Sequence, residues 1–201
     1  RCDVRVGRRV AGADPYRRLG MQKFHFISGL PRAGSTLLSA ILNQNPRFHA
    51  GVSSPVASFF SSLVSQVSVG SEWAAQVDMQ KRRALLRGLF DSYYADIETP
   101  VIFDTNRTWT TKLPALLDLF PSCKVIACVR NVAWIMDSIE RLYRANPYEN
   151  TRLFSSEAER SNVYSRLETL ASRNRLVGLA WSGLKEAFYS DHGKALLVLD
   201  Y

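Results

Sequence analysis

The sequence is poor in the residues that build disulfide frameworks and metal centres. It has three cysteines and three histidines in 201 residues. Cys2, Cys123 and Cys128 form no C-x-x-C pair. An odd count without that spacing points to reduced thiols, as in a cytoplasmic compartment. His25, His49 and His192 have neither zinc-ligand spacing nor neighbouring cysteines, so no metal is expected. No apolar run reaches the ~18–20 residues that a membrane span needs. The N-terminus carries basic residues without an apolar h-region, which does not read as a secretory signal. There is no internal repeat and no low-complexity segment. Apolar residues make up 46% and charged residues 22%, a balance that excludes disorder over most of the chain.

Charge is in excess but unevenly placed. Lys and Arg number 26 against 18 Asp and Glu, a formal charge of +8. Residues 1–20 hold six Arg against Asp3 and Asp14, so half the excess lies in a tenth of the chain. That stretch has no helical or strand period. It reads as a disordered or non-native extension ahead of Met21, with a nucleic-acid-binding arm as the rival reading. The arm lacks the interleaved aromatics that stack on bases, so no nucleic-acid partner is expected. Residues 21–201 read as one domain.

A strand pattern begins at once after Met21, over 23–28. The turn Gly29-Leu30-Pro31-Arg32-Ala33-Gly34 follows. A helix should start at Ser35 or Thr36 with Leu37, Leu38, Ile41 and Leu42 on one face and end at Pro46. Helical spacing recurs over 55–67 and 72–95. Their aromatics (Phe59, Phe60, Trp73, Phe90, Tyr93, Tyr94) read as core or as an acceptor pocket. Val101–Asp104 is a short strand. Thr110–Phe120 is a helix, 124–129 a buried strand, and Val132–Arg144 a helix with Ile135, Ile139 and Leu142 inward. Residues 145–156 are polar and irregular. One long helix or a pair covers 158–188. The apolar run 195–201 is a buried parallel strand; a domain rarely stops at such a strand, so the C-terminal part is expected to be missing. The alternation predicts an α/β fold, a three-layer sandwich with a central parallel sheet and crossover helices, like that of the P-loop nucleotide triphosphatases.

The segment Gly29–Thr36 carries the chemistry. A loop between strand and helix offers free N–H groups and a positive dipole end to an anion. Gly29 and Gly34 have the spacing of GxxxxGK[ST], and Thr36 suits the last position. Ser35 stands where a triphosphatase places Lys, and the cation is instead Arg32. A kinase neutralises two phosphates with Lys and Mg²⁺. A loop with one Arg and two hydroxyls suits a sulfonyl group on a 5′-phosphate, which carries less charge and needs no metal.

Phe26–Pro46, FISGLPRAGSTLLSAILNQNP, resembles the 5′-phosphosulfate loop and first helix of sulfotransferases. The PRxGST form is similar to the tyrosylprotein and related bacterial branches, in which Arg replaces Lys. The resemblance implies transfer of a sulfonyl group from 3′-phosphoadenosine 5′-phosphosulfate (PAPS) to a hydroxyl or amine, leaving the bisphosphate PAP. It implies that loop N–H groups from Arg32, Ala33 and Gly34 onward, with Ser35 and Thr36, hold the 5′-phosphate and sulfonate, and that Arg32 stabilises the bridging oxygen. Family members grip the 3′-phosphate with an Arg ending a strand and a Ser eight residues later. Arg130 and Ser138 have that separation. An Arg at the carboxyl edge of a parallel strand faces the ligand crevice and can bind phosphate through two N–H groups. The resemblance also implies that Tyr201, ending the last strand, contacts the nucleotide.

Catalysis needs a base for the acceptor proton. Cytosolic relatives use a His after the middle strand, which is absent here. The tyrosylprotein branch uses a Glu where this chain has Ser53. Asp104, ending a strand, is the expected substitute and His49 the second candidate; each also has a structural reading, Asp104 as a turn cap. Arg107 and Lys112 are candidates to neutralise the departing group. The branch's further Arg falls on Leu142. A kinase or triphosphatase of the P-loop class and a non-catalytic nucleotide-binding protein remain rivals. The acceptor is left open among small molecules, carbohydrates, lipids and peptides, as is the oligomeric state.

Overall fold

The computed structural model describes residues 22–68, 70–146 and 153–201. The expectations for residues 1–20, and for 147–152 of the irregular stretch 145–156, lie outside them. Five strands form one sheet: β1 (Lys23–Gly29), β2 (Phe48–Ala50), β3 (Val101–Thr105), β4 (Val125–Val129) and β5 (Leu196–Asp200). Their order is β2-β3-β1-β4-β5 and every pairing is parallel. The carboxyl ends of all five therefore lie along one edge. Chain leaving β1 turns toward β2, and chain leaving β4 turns toward β5, so the connections part between these two central strands. Such a point is where open α/β sheets bind ligands.

Alternation along β1 builds two cores, one on each face. Phe24 and Phe26 enter an aromatic cluster with Phe60, Phe90, Trp109 and Phe120. Its rings meet edge-on or tilted, with Phe90–Phe120 and Phe26–Trp109 centroids 5.0 and 5.1 Å apart. Ile27 enters a largely aliphatic cluster with Ile135, Ile139, Leu170, Val177 and Leu184. The sheet is thus the middle of three layers, and each core excludes water from one face. Of the aromatics in the stretches 55–67 and 72–95, Phe60, Phe90 and Tyr94 are core, whereas Phe59, Trp73 and Tyr93 are exposed.

Several boundaries differ from the periodicity, each for a local reason. In α1 (Ser35–Leu42), Leu37 and Ile41 are exposed and Ser39 is buried. Ser39 can face inward because its Oγ lies 3.0 Å from the Ser35 carbonyl and 3.1 Å from the Gly51 carbonyl. The edge strand β2 is too short for a period to reveal it. Asn43 pins it, donating to the Ala50 carbonyl and accepting from the Ala50 N–H, both at 2.7 Å. After α2 (Val56–Gln66), α3 runs only over Met79–Tyr93, because Asp78 caps it by accepting from the Lys81 N–H at 2.7 Å. A 3₁₀ turn, Trp109–Lys112, precedes α4 (Leu113–Leu119), whose first turn holds Pro114 where no N–H is needed. Beyond α5 (Val132–Ala145), the long helical stretch is three helices: α6 (Glu157–Arg160), α7 (Val163–Ala171) and α8 (Leu176–Tyr189). Ser156 and Asn162 cap the first two.

One ion pair joins the helices over the aliphatic core. Glu140 of α5 accepts from Arg166 of α7 (Nε–Oε2, 2.8 Å) and from Arg144 (2.7 Å). Both Glu140 and Arg166 are buried, and the Arg166 guanidinium lies 4.5 Å from the Tyr143 ring centroid. Hydrogen bonding from Arg166, followed by that from Arg144, holds the Glu140 carboxyl below its ordinary range against the opposing effect of burial. Glu140→Gln should therefore cost roughly 3 kcal/mol at neutral pH, the low end for a buried pair that loses one partner. The Glu140 contribution is complete above the ordinary carboxyl value of about 4.3 and is lost as pH falls through its lowered folded-state value. Urea unfolding of both proteins across that range should show the gap narrowing on acidification.

Candidate active site

The loop between β1 and α1 is shaped by three residues in the left-handed region. These are Gly29 (φ 110°), Arg32 (φ 58°) and Gly34 (φ 84°). A Cβ on Gly29 would lie 2.1 Å from the Cys128 carbonyl oxygen of β4. Only glycine allows that approach. It lets the Leu30 N–H donate to the same carbonyl at 2.8 Å. Gly34 is the N-cap of α1 and no side chain caps the helix. The first amide to close an intrahelical bond on Gly34 is that of Leu38, at 3.0 Å. The amides of Ser35, Thr36 and Leu37 precede it and belong to the unpaired first turn. Free donors of this kind can bind an anion.

Residues far apart in sequence converge on this loop. Arg32 Nε donates to Ser138 Oγ of α5 at 3.1 Å. Arg130 Nη1, past the end of β4, donates to the Arg32 carbonyl at 3.3 Å. The Arg130 guanidinium stands 5.3 Å from the Tyr201 ring centroid. The Tyr201 N–H donates to the Val129 carbonyl at 3.0 Å, extending the β4–β5 pairing by one residue. Its ring covers Gly34, where a Cβ would meet Cδ2 at 2.4 Å. Arg32, Gly34, Arg130, Ser138 and Tyr201 are thus one constellation. Ala33 is buried beneath it, while Arg32 and Thr36 are exposed.

A cleft of 540 Å³ opens beside the loop. Pro31, Arg32 and Ser35 form one side, and Val52, Ser53 and Thr105–Arg107 another. Ile139, Leu142, Tyr143, Leu153 and Leu176 supply an apolar wall. Ser53 and Leu142, which stand in place of charged groups, therefore do line the cleft. The apolar wall was visible in part, since Ile139 and Leu142 fall on the predicted inner face of α5. Thr105 and Tyr143 carried no signal of their own.

The two expected bases lie elsewhere. Asp104 is wholly buried. Its Oδ2 accepts from Ser54 Oγ and Tyr94 OH, each at 2.6 Å, and its Oδ1 from Trp109 Nε1 at 2.7 Å. It does not cap the following turn; it ties β3 to α3, to the 3₁₀ turn and to the chain entering α2. Burial pushes its carboxyl up, and the three donors pull it back. Burial, with the Asp104 charge second, likewise pushes the Tyr94 phenol up. Strand alternation explains the placement. Asp104 shares a face with Ile102 of the aromatic cluster, and Thr105, one residue on, faces the cleft. His49 sits half-buried on β2 with its ring 5.8 Å from that of Tyr94, and does not line the cleft. Lys112 ends the 3₁₀ turn outside the cleft, whereas Arg107 lines it. Among the described residues the cleft lining holds no carboxylate or imidazole, and no cluster of metal-ligating side chains is present.

The family model described as "Sulfotransferase family" matches residues 25–179, which include the loop, Arg130 and Ser138. The chain belongs to the sulfotransferase family. This sulfotransferase chain is also similar to the sulfotransferase domain of the Synechococcus PCC 7002 olefin synthase. Identity is 17%, the TM-score 0.48, and coverage 89% of this chain and 66% of that one. Against sulfotransferase STF9 from Mycobacterium avium the values are 12%, 0.46, 92% and 60%. The chain thus spans less than two thirds of either structure's length. No curated protein matches it. None of the described helices is long and apolar enough to cross a membrane.

The contact between Gly34 and Tyr201 can be measured. Gly34→Ala places a Cβ at positive φ and against the ring, and should lower stability by about 1–2 kcal/mol from the backbone alone, with the displaced ring adding to it. In thermal unfolding of the single and double variants, Tyr201→Ala should recover the steric part only, leaving the backbone part in place.

Proposed function

We propose that this sulfotransferase-family chain transfers a sulfonyl group from PAPS to an acceptor hydroxyl or amine. The observation that carries the reading is the gathering of Arg32, Arg130, Ser138 and Tyr201 around an uncapped helix N-terminus that has Ser35 in place of lysine. The donor set fits the ligand. First-turn amides with Ser35 and Thr36 suit a singly charged sulfonate and its 5′-phosphate. Arg130 and Ser138 suit a 3′-phosphate, and the Tyr201 ring offers a flat surface for a nucleotide. PAPS, when bound, supplies an activated sulfonyl group on a phosphate leaving group. Everything else is positioning and charge stabilisation by the chain. Arg32 donates to Ser138, and either it shares the 3′-phosphate with Ser138 or it turns to the oxygen that gains charge as the sulfonyl group departs. The chain is read as a cytoplasmic protein, in keeping with its buried, unpaired Cys123 and Cys128.

Two other readings have an observation behind them. The loop spacing admits a P-loop kinase, against which stands Ser35. The cleft without a carboxylate or imidazole among its described lining residues favours a non-catalytic nucleotide binder. Calorimetry with PAP and with ATP–Mg²⁺ separates the first. PAP should bind, and micromolar binding of ATP–Mg²⁺ without PAP would overturn the sulfotransferase reading. Sulfonyl transfer from labelled PAPS separates the second.

The two arginines should divide their effects. Arg130→Ala should weaken PAP binding about ten- to hundredfold, the loss of charge-assisted hydrogen bonds worth about 1.5–3 kcal/mol. Arg32→Ala should slow turnover by about 10²–10³, as for a lost transition-state donor, with a smaller effect on PAP affinity. Equal losses in both quantities would assign Arg32 to holding the nucleotide beside Ser138.

A further inference from the structure

One helix joins the phosphate loop to the apolar wall. Ser138 of α5 meets Arg32 at the loop, and Ile139, Leu142, Tyr143 and Asn146 follow along the cleft at helical spacing. Tyr143 lies five residues beyond Ser138, about 7.5 Å farther along the axis. The nucleotide grip lies the other way, since Arg130 precedes α5 and Tyr201 follows β5. Among the described lining residues Tyr143 is the aromatic one, and its ring is held in place. The Arg166 guanidinium stands 4.5 Å from the ring centroid. Buried Phe154 meets the ring edge-on, with centroids 5.4 Å apart. Arg166 is itself buried and fixed, donating from Nε to Glu140 at 2.8 Å and from Nη1 to the Arg160 carbonyl at 2.7 Å. Tyr143 is half-buried, so part of the ring stays open to the cleft beside Leu142, Leu153 and Leu176.

A ring mounted in this way loses little freedom when a ligand packs on it. A flat aromatic body gains an offset or edge contact with it beyond the area buried, and the leucines reward the same body for leaving water. Charge on that body is disfavoured. The charged groups among the described lining residues are the cations Arg32 and Arg107, and Arg166 stands against the ring, so an ammonium group is repelled. A carboxylate on the wall would have only apolar neighbours there. We infer that Tyr143 selects the acceptor, an uncharged hydroxyl compound with a flat aromatic body. The body lies on the Tyr143 ring and the leucine wall, and the hydroxyl is directed toward the phosphate loop. This inference rests on the sulfotransferase reading and names the acceptor class for it. The separation of about 7.5 Å between the levels of Ser138 and Tyr143 suits a body of one or two fused rings.

The test is calorimetry on the full chain saturated with PAP. 2-Naphthylmethanol and its decahydro analogue, both uncharged and with the same carbon skeleton, are titrated into wild type, Tyr143→Phe, Tyr143→Leu and Tyr143→Met. Removing the ring in Tyr143→Leu and Tyr143→Met should lower the ratio of aromatic to saturated affinity about threefold or more relative to wild type, the size of a lost aromatic pair. Tyr143→Phe should keep the wild-type ratio, and PAP affinity should be the same in all of these proteins. Should one ring-less variant fail to fold, the other carries the comparison. An unchanged ratio in the ring-less variants, or binding of neither alcohol by wild type, overturns the inference and leaves the PAP reading standing. Loss of the ratio in Tyr143→Phe overturns it by assigning the selection to the hydroxyl. Weaker PAP binding by the ring-less variants also overturns it, by making the ring a surface for the nucleotide. Failure of wild type to bind PAP overturns the sulfotransferase reading and this inference with it.

Discussion

The site depends on how closely two strands approach where β1 ends. With no side chain on Gly29, the β1 backbone comes against the Cys128 carbonyl at a distance that any Cβ would forbid. That approach seats the start of the loop on β4. It also puts Arg32 within reach of the two residues that follow β4, so that its carbonyl meets Arg130 and its guanidinium meets Ser138. Gly34 repeats the device at the other end of the loop. Its bare Cα leaves room for the Tyr201 ring, which comes from the neighbouring strand β5. Two glycines therefore link the loop to three other segments, and their positive φ values give the loop the turn that aims α1 at the crevice.

The two faces of the sheet have different tasks. The aromatic face is closed by Asp104, whose three hydrogen bonds collect a serine, a tyrosine and a tryptophan from separate elements. A buried carboxylate with every donor supplied from rigid neighbours specifies one arrangement of those elements. The aliphatic face continues past the sheet edge to become the wall of the cleft, since Ile139 belongs to both. Packing and ligand surface are thus parts of one helix, α5. The Glu140–Arg166 pair fixes that helix from behind.

Much of the fold could be read from periodicity, because β1, β4 and α5 each bury a continuous apolar face. The meeting of Arg32, Arg130 and Ser138 at one loop was also anticipated, since the glycine spacing, the hydroxyl pair and the Arg130–Ser138 separation are local patterns on strand–turn–helix segments. The misreadings have separate local causes. Ser39 faces inward and Leu37 outward in α1 because the hydroxyl finds backbone acceptors, which composition does not reveal. The strand β2 has only three residues and is held by Asn43. Asp104 ends a strand, but its parity along the strand assigned it to the core rather than the crevice. The strand's starting residue sets that parity, and only the register with β1 shows it.

The sequence alone determined which residues could bind an anion: a loop with glycines at the required spacing, one arginine and no lysine before a helix. Those properties come from backbone freedom and charge, which are local. Only the tertiary structure decided which groups meet at that loop. Arg32 and Ser138 are 106 residues apart in the chain and 3.1 Å apart in the fold. Asp104 and Thr105 are adjacent in the chain and lie on opposite faces of the sheet. Sheet order and strand alternation produce both results, and neither is a property of a single segment.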